Sequence, residues 1–144
     1  NFGAKNFNRV ISATKVYIIG SIMILLPLWL FAMVNPHMIL GLMLTGNISD
    51  ANIFNFRIFV SVIPLLSITM NGMTYFPSIN KGKIASAVAM LRQVILYIPG
   101  MILLPRLFGL EFVYIGSFLI DVIVTIIVAV LLMKSFSNIR NEAI

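Results

Sequence analysis

The chain has 144 residues, of which 60% are hydrophobic and only 10% are charged, and its mean hydropathy is +1.07. A soluble domain of this length needs more polar surface than this composition supplies, so the composition excludes a soluble protein and predicts an integral membrane protein. The formal net charge is +6, but the basic residues are spread along the chain and do not form the patch that nucleic-acid binding requires.

Four apolar segments are long enough to cross a bilayer as helices. A hydrocarbon layer of about 30 Å requires about 20 helical residues, because each residue of an α-helix adds about 1.5 Å. The predicted fold class is therefore all-α, with transmembrane helices at residues 16–34, 58–79, 84–104 and 112–133. Residues 1–15 are predicted to form a loop before the first span, and residues 134–144 a tail after the last.

The connections between the spans contain residues that break helices. Asn35-Pro36 ends the first span, residues 80–83 (NKGK) make a hairpin between the second and third, and residues 106–111 (RLFGLE) precede the fourth. The connection at residues 35–57 is the long one. Its apolar stretch at residues 38–44 is too short to span, so we expect that stretch to lie in the membrane interface.

The basic residues predict how the chain is oriented in the membrane. With four spans, seven of the ten fall on one side: Lys5, Arg9, Lys15, Lys81, Lys83, Lys134 and Arg140. Cytoplasmic loops hold an excess of Lys and Arg, so both termini are predicted to be cytoplasmic, in a multi-pass protein of the cell (inner) membrane. Membrane lipids, through their phosphates, are the expected partners of these residues, and nucleic acid is not.

Polar residues recur at helical spacing within three of the spans. The sets are Ser67, Asn71, Thr74 and Ser78; Ser86, Gln93, Tyr97 and Gly100; and Tyr114, Ser117, Asp121 and Thr125. Steps of three, four or seven residues return to the same helix face, so each span is predicted to turn a polar stripe inward and an apolar face to lipid. The alternative for a single Ser or Thr is a bond to a carbonyl of its own helix. Candidate cavity or coupling residues are Arg92, Gln93, Asp121, Asn71, Tyr97, Ser117 and Thr125.

Arg92 and Asp121 are charges placed inside spans. An isolated charge near the bilayer centre costs about 2.5–3.5 kcal/mol, so such residues normally face protein or a water-filled cavity. Counted from the cytoplasmic ends, the two residues lie about 12 Å and about 18 Å deep, which an Arg side chain can bridge. Three interpretations stay open: a pair that only neutralises charge and fixes packing, an Arg92 that extends toward the headgroups, and an Asp121 that changes protonation or partner during a transport cycle.

Pro99 and Gly100 form the best hinge candidate in the chain. A proline inside a helix lacks an N–H donor and its ring clashes with the preceding turn, which opens and kinks the helix. Pro99-Gly100 directly follows the polar stripe of the third span. A purely structural kink is the alternative, because prolines are common in membrane helices.

The first ten residues, NFGAKNFNRV, resemble the Asn-aromatic-Gly-Ala-x-Asn/Asp-x-x-Arg-Val loop of the multidrug and toxic compound extrusion (MATE) family. Further matching features follow in the order they take in prokaryotic members: Arg57, the KGK hairpin, Arg92-Gln93 with Ile98-Pro99, the LFGLE turn and Ile120-Asp121-Val122. Val122 departs from the Leu that is more frequent there. The resemblance covers nearly the whole chain. It implies that the four spans are the last four helices of the second bundle in a twelve-helix transporter built from two six-helix bundles.

The resemblance also implies a function. Such transporters are cation-coupled antiporters, driven by H⁺ or Na⁺, that export amphipathic cationic compounds by alternating access and need no cofactor. The expected partners are those small substrates and the remaining helices of a parent transporter, of which this chain would be a fragment that cannot transport alone. Two alternatives stay open: a flippase for lipid-linked oligosaccharide or polysaccharide in the same superfamily, and a four-helix membrane scaffold subunit.

An enzyme is not predicted. Hydrolysis inside a membrane needs paired carboxylates, a Ser–His pair or a metal motif, but the predicted spans hold one carboxylate and no histidine. The chain has no cysteine and no phosphate-binding glycine-rich loop.

Overall fold

The computed structural model describes residues 1–141, which form helices and no strand. The helices are α1 (Phe7–Val34), α2 (Pro36–Met43), α3 (Asp50–Val60), α4 (Ile63–Ser78), α5 (Gly82–Met90), α6 (Ile98–Phe108) and α7 (Phe112–Asn141), with a π-helical segment (Leu91–Tyr97) between α5 and α6. Four stretches are long and apolar enough to cross a membrane: α1, α3 with α4, α5 through α6, and α7. The prediction of an all-α chain with four membrane-spanning helices is confirmed, and the chain is a multi-pass membrane protein.

The helices extend beyond the predicted spans at both ends of the chain. The prediction of a loop over residues 1–15 is wrong from Phe7 onward, since α1 begins there, and the predicted tail is helical to Asn141. Ser135 and Ile139 are buried, so α7 continues because its last turns still pack against protein. The remainder of the tail, residues 142–144, lies outside the described residues.

The long connection between the first two spans is mostly helical as well. The apolar stretch expected in the interface lies largely in α2, and α3 begins well before the predicted start of the second span. Ser49 caps α3, because its side-chain oxygen accepts a hydrogen bond from the Asn52 N–H at 3.3 Å. The second span is interrupted at Ser61 and Val62, which precede Pro64 by three and two residues. The ring nitrogen of Pro64 cannot donate to the preceding turn.

The fourth span is the centre of the bundle. In its most apolar window 44% of the residues are buried, against 6% for α1 and 6% for α5 through α6. One face of α7 packs on α4, α6, α3 and the π-helical segment, and α7 also contacts α1. Apolar side chains fill this core, among them Phe76, Ile79, Val124, Val128 and Ile139. The outer faces of α1 and α6 remain apolar and exposed, as helices in lipid require.

Two glycines let α7 approach its neighbours closely. A methyl group added to Gly72 on α4 would overlap Val128, and one added to Gly116 on α7 would overlap Leu104 of α6. Small residues at such crossings bring helix backbones together, which increases van der Waals contact where no hydrophobic effect drives association.

We expect Gly72→Ala to destabilise the bundle, because the new methyl group must displace Val128. Overpacking of this kind costs about 1–3 kcal/mol. Gly20→Ala is the matched control, since nothing lies within 4 Å of the added carbon there. Unfolding in mixed detergent micelles with increasing dodecyl sulfate would compare the two variants. Equal midpoints would contradict the close packing of α4 on α7.

Candidate functional site

An ion pair joins the third and fourth spans. The Arg92 Nη2 lies 2.7 Å from Oδ1 of Asp121, and the Arg92 Nε donates to the same oxygen at 2.8 Å. The side chain of Asp121 is 9% exposed and that of Arg92 is 30% exposed. The guanidinium therefore bonds to the carboxylate, and does not extend toward the headgroups. Each charge offsets the desolvation cost of the other within the span.

A row of hydroxyl groups continues from this pair toward α4. Thr125, one turn after Asp121, donates to the Asp121 backbone carbonyl at 2.7 Å. The Oγ1 atoms of Thr69 and Thr125 are 2.9 Å apart. Thr69 also lies within hydrogen-bond distance of a carbonyl of its own helix, that of Leu65 at 3.3 Å, so either hydroxyl can be the donor between the two threonines. Asp121 thus sits on a helix turn fixed to two neighbouring spans.

A second contact lies one turn from the ion pair in the opposite direction. The hydroxyl groups of Tyr97 and Ser117 are 2.9 Å apart. Ser117 precedes Asp121 by four residues, so both lie on one face of α7. The third span is therefore bound to α7 at two successive turns.

The π-helical segment explains how Arg92 and Tyr97 both reach α7. They are five residues apart, and at about 100° per residue an α-helix would place them about 140° apart. A π turn closes between residues i and i+5, which puts them on one side. The backbone has this form at its end, since the N–H of Ile98 donates to the carbonyl of Gln93.

The predicted hinge at Pro99 and Gly100 lies at the start of α6, directly after the π-helical segment. The irregular geometry is therefore in the preceding turns and not at Pro99-Gly100 itself. A methyl group added to Gly100 would come within 3.1 Å of the Ile120 side chain, so this glycine also serves close packing. Movement at this position stays a prediction.

The structure brings five of the seven candidate residues together: Arg92, Tyr97, Ser117, Asp121 and Thr125. Gln93 does not join them. Its side chain is exposed on another side of the third span.

Asn71 is separate from this group. Its side-chain amide donates to Ser21 Oγ at 2.9 Å, and this bond joins α4 to α1. It also donates to the Ser67 carbonyl of its own helix at 2.6 Å. It also lines a cavity of about 430 Å³ between these two helices. The cavity walls include three aromatic side chains, Phe2, Tyr17 and Tyr75, and three further hydroxyl side chains, Thr14, Thr74 and Ser78.

The prediction that each span turns its whole polar stripe inward is wrong in part. On α7 the stripe residues Ser117, Asp121 and Thr125 are buried against neighbouring helices, where they bond to protein. In the other stripes Thr74, Ser78 and Ser86 are exposed, as is Tyr114 on α7. On the third span the π-helical segment turns Arg92 to α7 in place of Gln93, which regular α spacing does not anticipate.

Sequence reasoning missed two contributors at the α4–α7 interface. One is Thr69. The other is the pair of Tyr75 with Ser135, whose hydroxyl oxygens are 2.9 Å apart. Thr69 and Tyr75 lie off the stripe that was assigned to α4. The available signal was a hydroxyl residue on the apolar side of a span, where it needs a partner within the protein.

The residues described by the structure include no group of three or more His, Cys, Asp and Glu side chains placed to hold a metal ion. The carboxylate of Asp121 faces one cation, and hydroxyl groups surround its helix turn. A buried carboxylate in this setting can hold a single positive charge.

We expect Asp121→Ala to destabilise the bundle by up to about 3–5 kcal/mol, because it leaves Arg92 without its counter-charge. Arg106→Ala is the control, since this arginine is exposed near the end of α6. Unfolding in mixed micelles would compare both.

The exchange Arg92→Asp with Asp121→Arg is expected to recover stability relative to either single change. Additive losses in the double variant would show that the two charges do not interact.

Comparisons with family models, with curated proteins and with solved structures find no match for this chain. The ion pair, the hydroxyl groups around it and the π-helical segment are therefore the features from which a function has to be inferred.

Proposed function

We propose that the chain is the C-terminal portion of a cation-coupled multidrug efflux antiporter that exports amphipathic cationic compounds by alternating access. The observation that carries the proposal is a carboxylate, Asp121, held inside a span by a cation on the neighbouring span. Ionisable residues at this depth are costly and mark ion pathways and proton relays in membrane transporters. The resemblance of the loop and turn motifs to the MATE family supports the same function.

The geometry of the pair suits a coupling role. Both hydrogen bonds from Arg92 fall on Oδ1 of Asp121, so Oδ2 accepts neither of them. Arg92 is partly exposed, so an ion would reach the pair if this side of the third span lines a water-filled cavity of the parent transporter. A proton or Na⁺ that binds the carboxylate would replace Arg92 as its counter-charge and release the third span from α7. H⁺ or Na⁺ is thus the proposed coupling ion.

The outer faces of the bundle suit the proposed partners. Large apolar side chains remain exposed along α1 and α6, where lipid and the other helices of a parent transporter would pack. The basic residues at one end support a location in the inner membrane with both termini in the cytoplasm.

Ethidium retention tests the proposal. In pump-deficient cells, the intact polypeptide that carries this sequence is expected to lower ethidium retention, and an uncoupler is expected to abolish the effect if H⁺ drives export. Asp121→Asn is expected to reduce export at least tenfold at equal protein level, because the amide cannot take up a proton or bind Na⁺ as a carboxylate does. Glu111→Gln, an exposed acid before α7, is the matched control.

Other outcomes select the alternatives. Unchanged retention in well-expressing cells would reject drug export and leave the flippase or the scaffold. Equal losses of protein level and export in Asp121→Asn would assign the pair to packing alone.

The orientation has its own test. The 144 residues contain no cysteine, so single cysteines can be introduced and labelled from outside intact cells. We expect a membrane-impermeant maleimide to label Thr45→Cys and not Asn138→Cys until the cells are opened. Both positions are exposed and lie at opposite ends of the bundle, so they form a matched pair. The reverse pattern would contradict cytoplasmic termini.

A further inference from the structure

Arg92 and Gln93 are neighbours in the sequence, yet only Arg92 contacts α7. The π-helical segment selects it, since the π turn places residue 92, and not residue 93, on the same side as Tyr97. Gln93 is left exposed at a depth where an amide side chain has no favourable partner in lipid.

Regular α-helical geometry would exchange the two residues. Gln93 and Tyr97 are four residues apart, which in an α-helix is about 40° and one turn. If Tyr97 keeps its bond to Ser117, an α-helical third span places Gln93 opposite Asp121. Arg92 then turns about 100° away from α7.

Pro99 removes one backbone donor from both the π form and the α form. In the π form the N–H of Ile98 bonds to Gln93, and the next donor, for the Val94 carbonyl, would come from Pro99. In the α form Pro99 would have to donate to the Ile95 carbonyl. Proline has no N–H, so one carbonyl loses its donor in either form. Side-chain contacts are then able to decide between the two.

We propose that Gln93 is the second partner of Asp121, and that neutralisation of the carboxylate converts residues 91–97 from π to α geometry. An ionised carboxylate has only acceptors, which match the N–H groups of Arg92. A protonated carboxyl group has an O–H donor and a C=O acceptor, which match the carbonyl and NH₂ of a Gln amide. The inference rests on the proposed coupling role of Asp121 and adds the conformational step that protonation drives.

The surroundings of Asp121 leave Arg92 as the charge that controls it. α4 presents Thr69 to this part of α7, and α7 itself presents Thr125. The other titratable side chains on elements that pack against α7 lie away from the pair. Tyr75 bonds to Ser135 and Tyr97 bonds to Ser117, and the rest are exposed: Arg9, Lys15, Tyr17, Asp50, Arg57 and Arg106. Only Arg92 comes within ion-pair distance of Asp121 among the residues described here.

The exchange changes the outer face of the third span. In the π form this face shows a neutral amide, and in the α form it shows the Arg92 guanidinium. A cation that turns toward the exposed side when Asp121 takes up a proton would repel a bound cationic solute. Proton uptake and release of the solute would then be parts of one conformational step.

Distances between spin labels test the conversion. In the intact polypeptide, freed of any cysteines outside these 144 residues and held in lipid nanodiscs, one pair of labels is placed at Met90 and Ile126, and a control pair at Ile102 and Ile123. All four positions are exposed. Met90 precedes the π-helical segment and Ile102 follows it. In Asp121→Asn the first distance is expected to shift by about 3 Å or more, because its label turns about a helix roughly 10 Å wide. The control distance is expected to stay fixed.

A second substitution tests the role of Gln93. The shift is expected to disappear in Asp121→Asn with Gln93→Leu, since leucine cannot pair with the amide. A shift that persists in full would overturn the assignment of Gln93. If the control distance also moves in the Asp121→Asn variant, the same distances are measured in the Arg92→Leu variant, which removes the ion pair by a change on the third span. Absence of a shift in both variants would overturn the conversion.

Failure of this inference and failure of the proposed function are distinguishable. Gradient-driven ethidium export without a label shift would overturn the conversion and leave the transport function. A label shift that depends on Gln93, in a protein without export, would keep the conversion and reject the transport function.

Discussion

A charged group inside a hydrocarbon layer has to be neutralised by protein, and this requirement fixes how the third and fourth spans meet. Asp121 can lie within α7 because Arg92 places two N–H groups on one of its oxygens. Each charge alone would be costly at this depth, so neither helix can rotate or slide without losing the other's counter-charge. The register of the third span against α7 follows from this single contact.

The remaining polar contacts extend the same arrangement along α7. Tyr97, Thr69 and Tyr75 bind hydroxyl groups at successive positions of this helix, so α7 bonds to the second span on one side and to the third on the other. Bonds of this kind are individually worth little more than about 1 kcal/mol in membranes. Their effect is specificity: they select one rotation of each helix where apolar packing alone would accept several.

Pattern reasoning located the spans because their signal is local. Length and hydropathy identify a spanning helix without knowledge of its neighbours, and the four spans predicted this way are present. The same reasoning ended helices where the apolar run ended, and so missed the first turns of α1 and the last turns of α7. It also paired Arg92 with Asp121 as one of three open interpretations, because depth along two antiparallel helices follows from residue counts.

The sequence by itself determined that this chain is a helical membrane protein with four spans and that two opposite charges lie at similar depth. Only the tertiary structure decided which helix faces meet. Pattern reasoning assumes a regular period of about 3.6 residues per turn, whereas the side of the helix on which a residue lies depends on the actual backbone geometry. The π-helical segment before Pro99 breaks that period. It brings Arg92 and Tyr97 to α7 and leaves Gln93 outside.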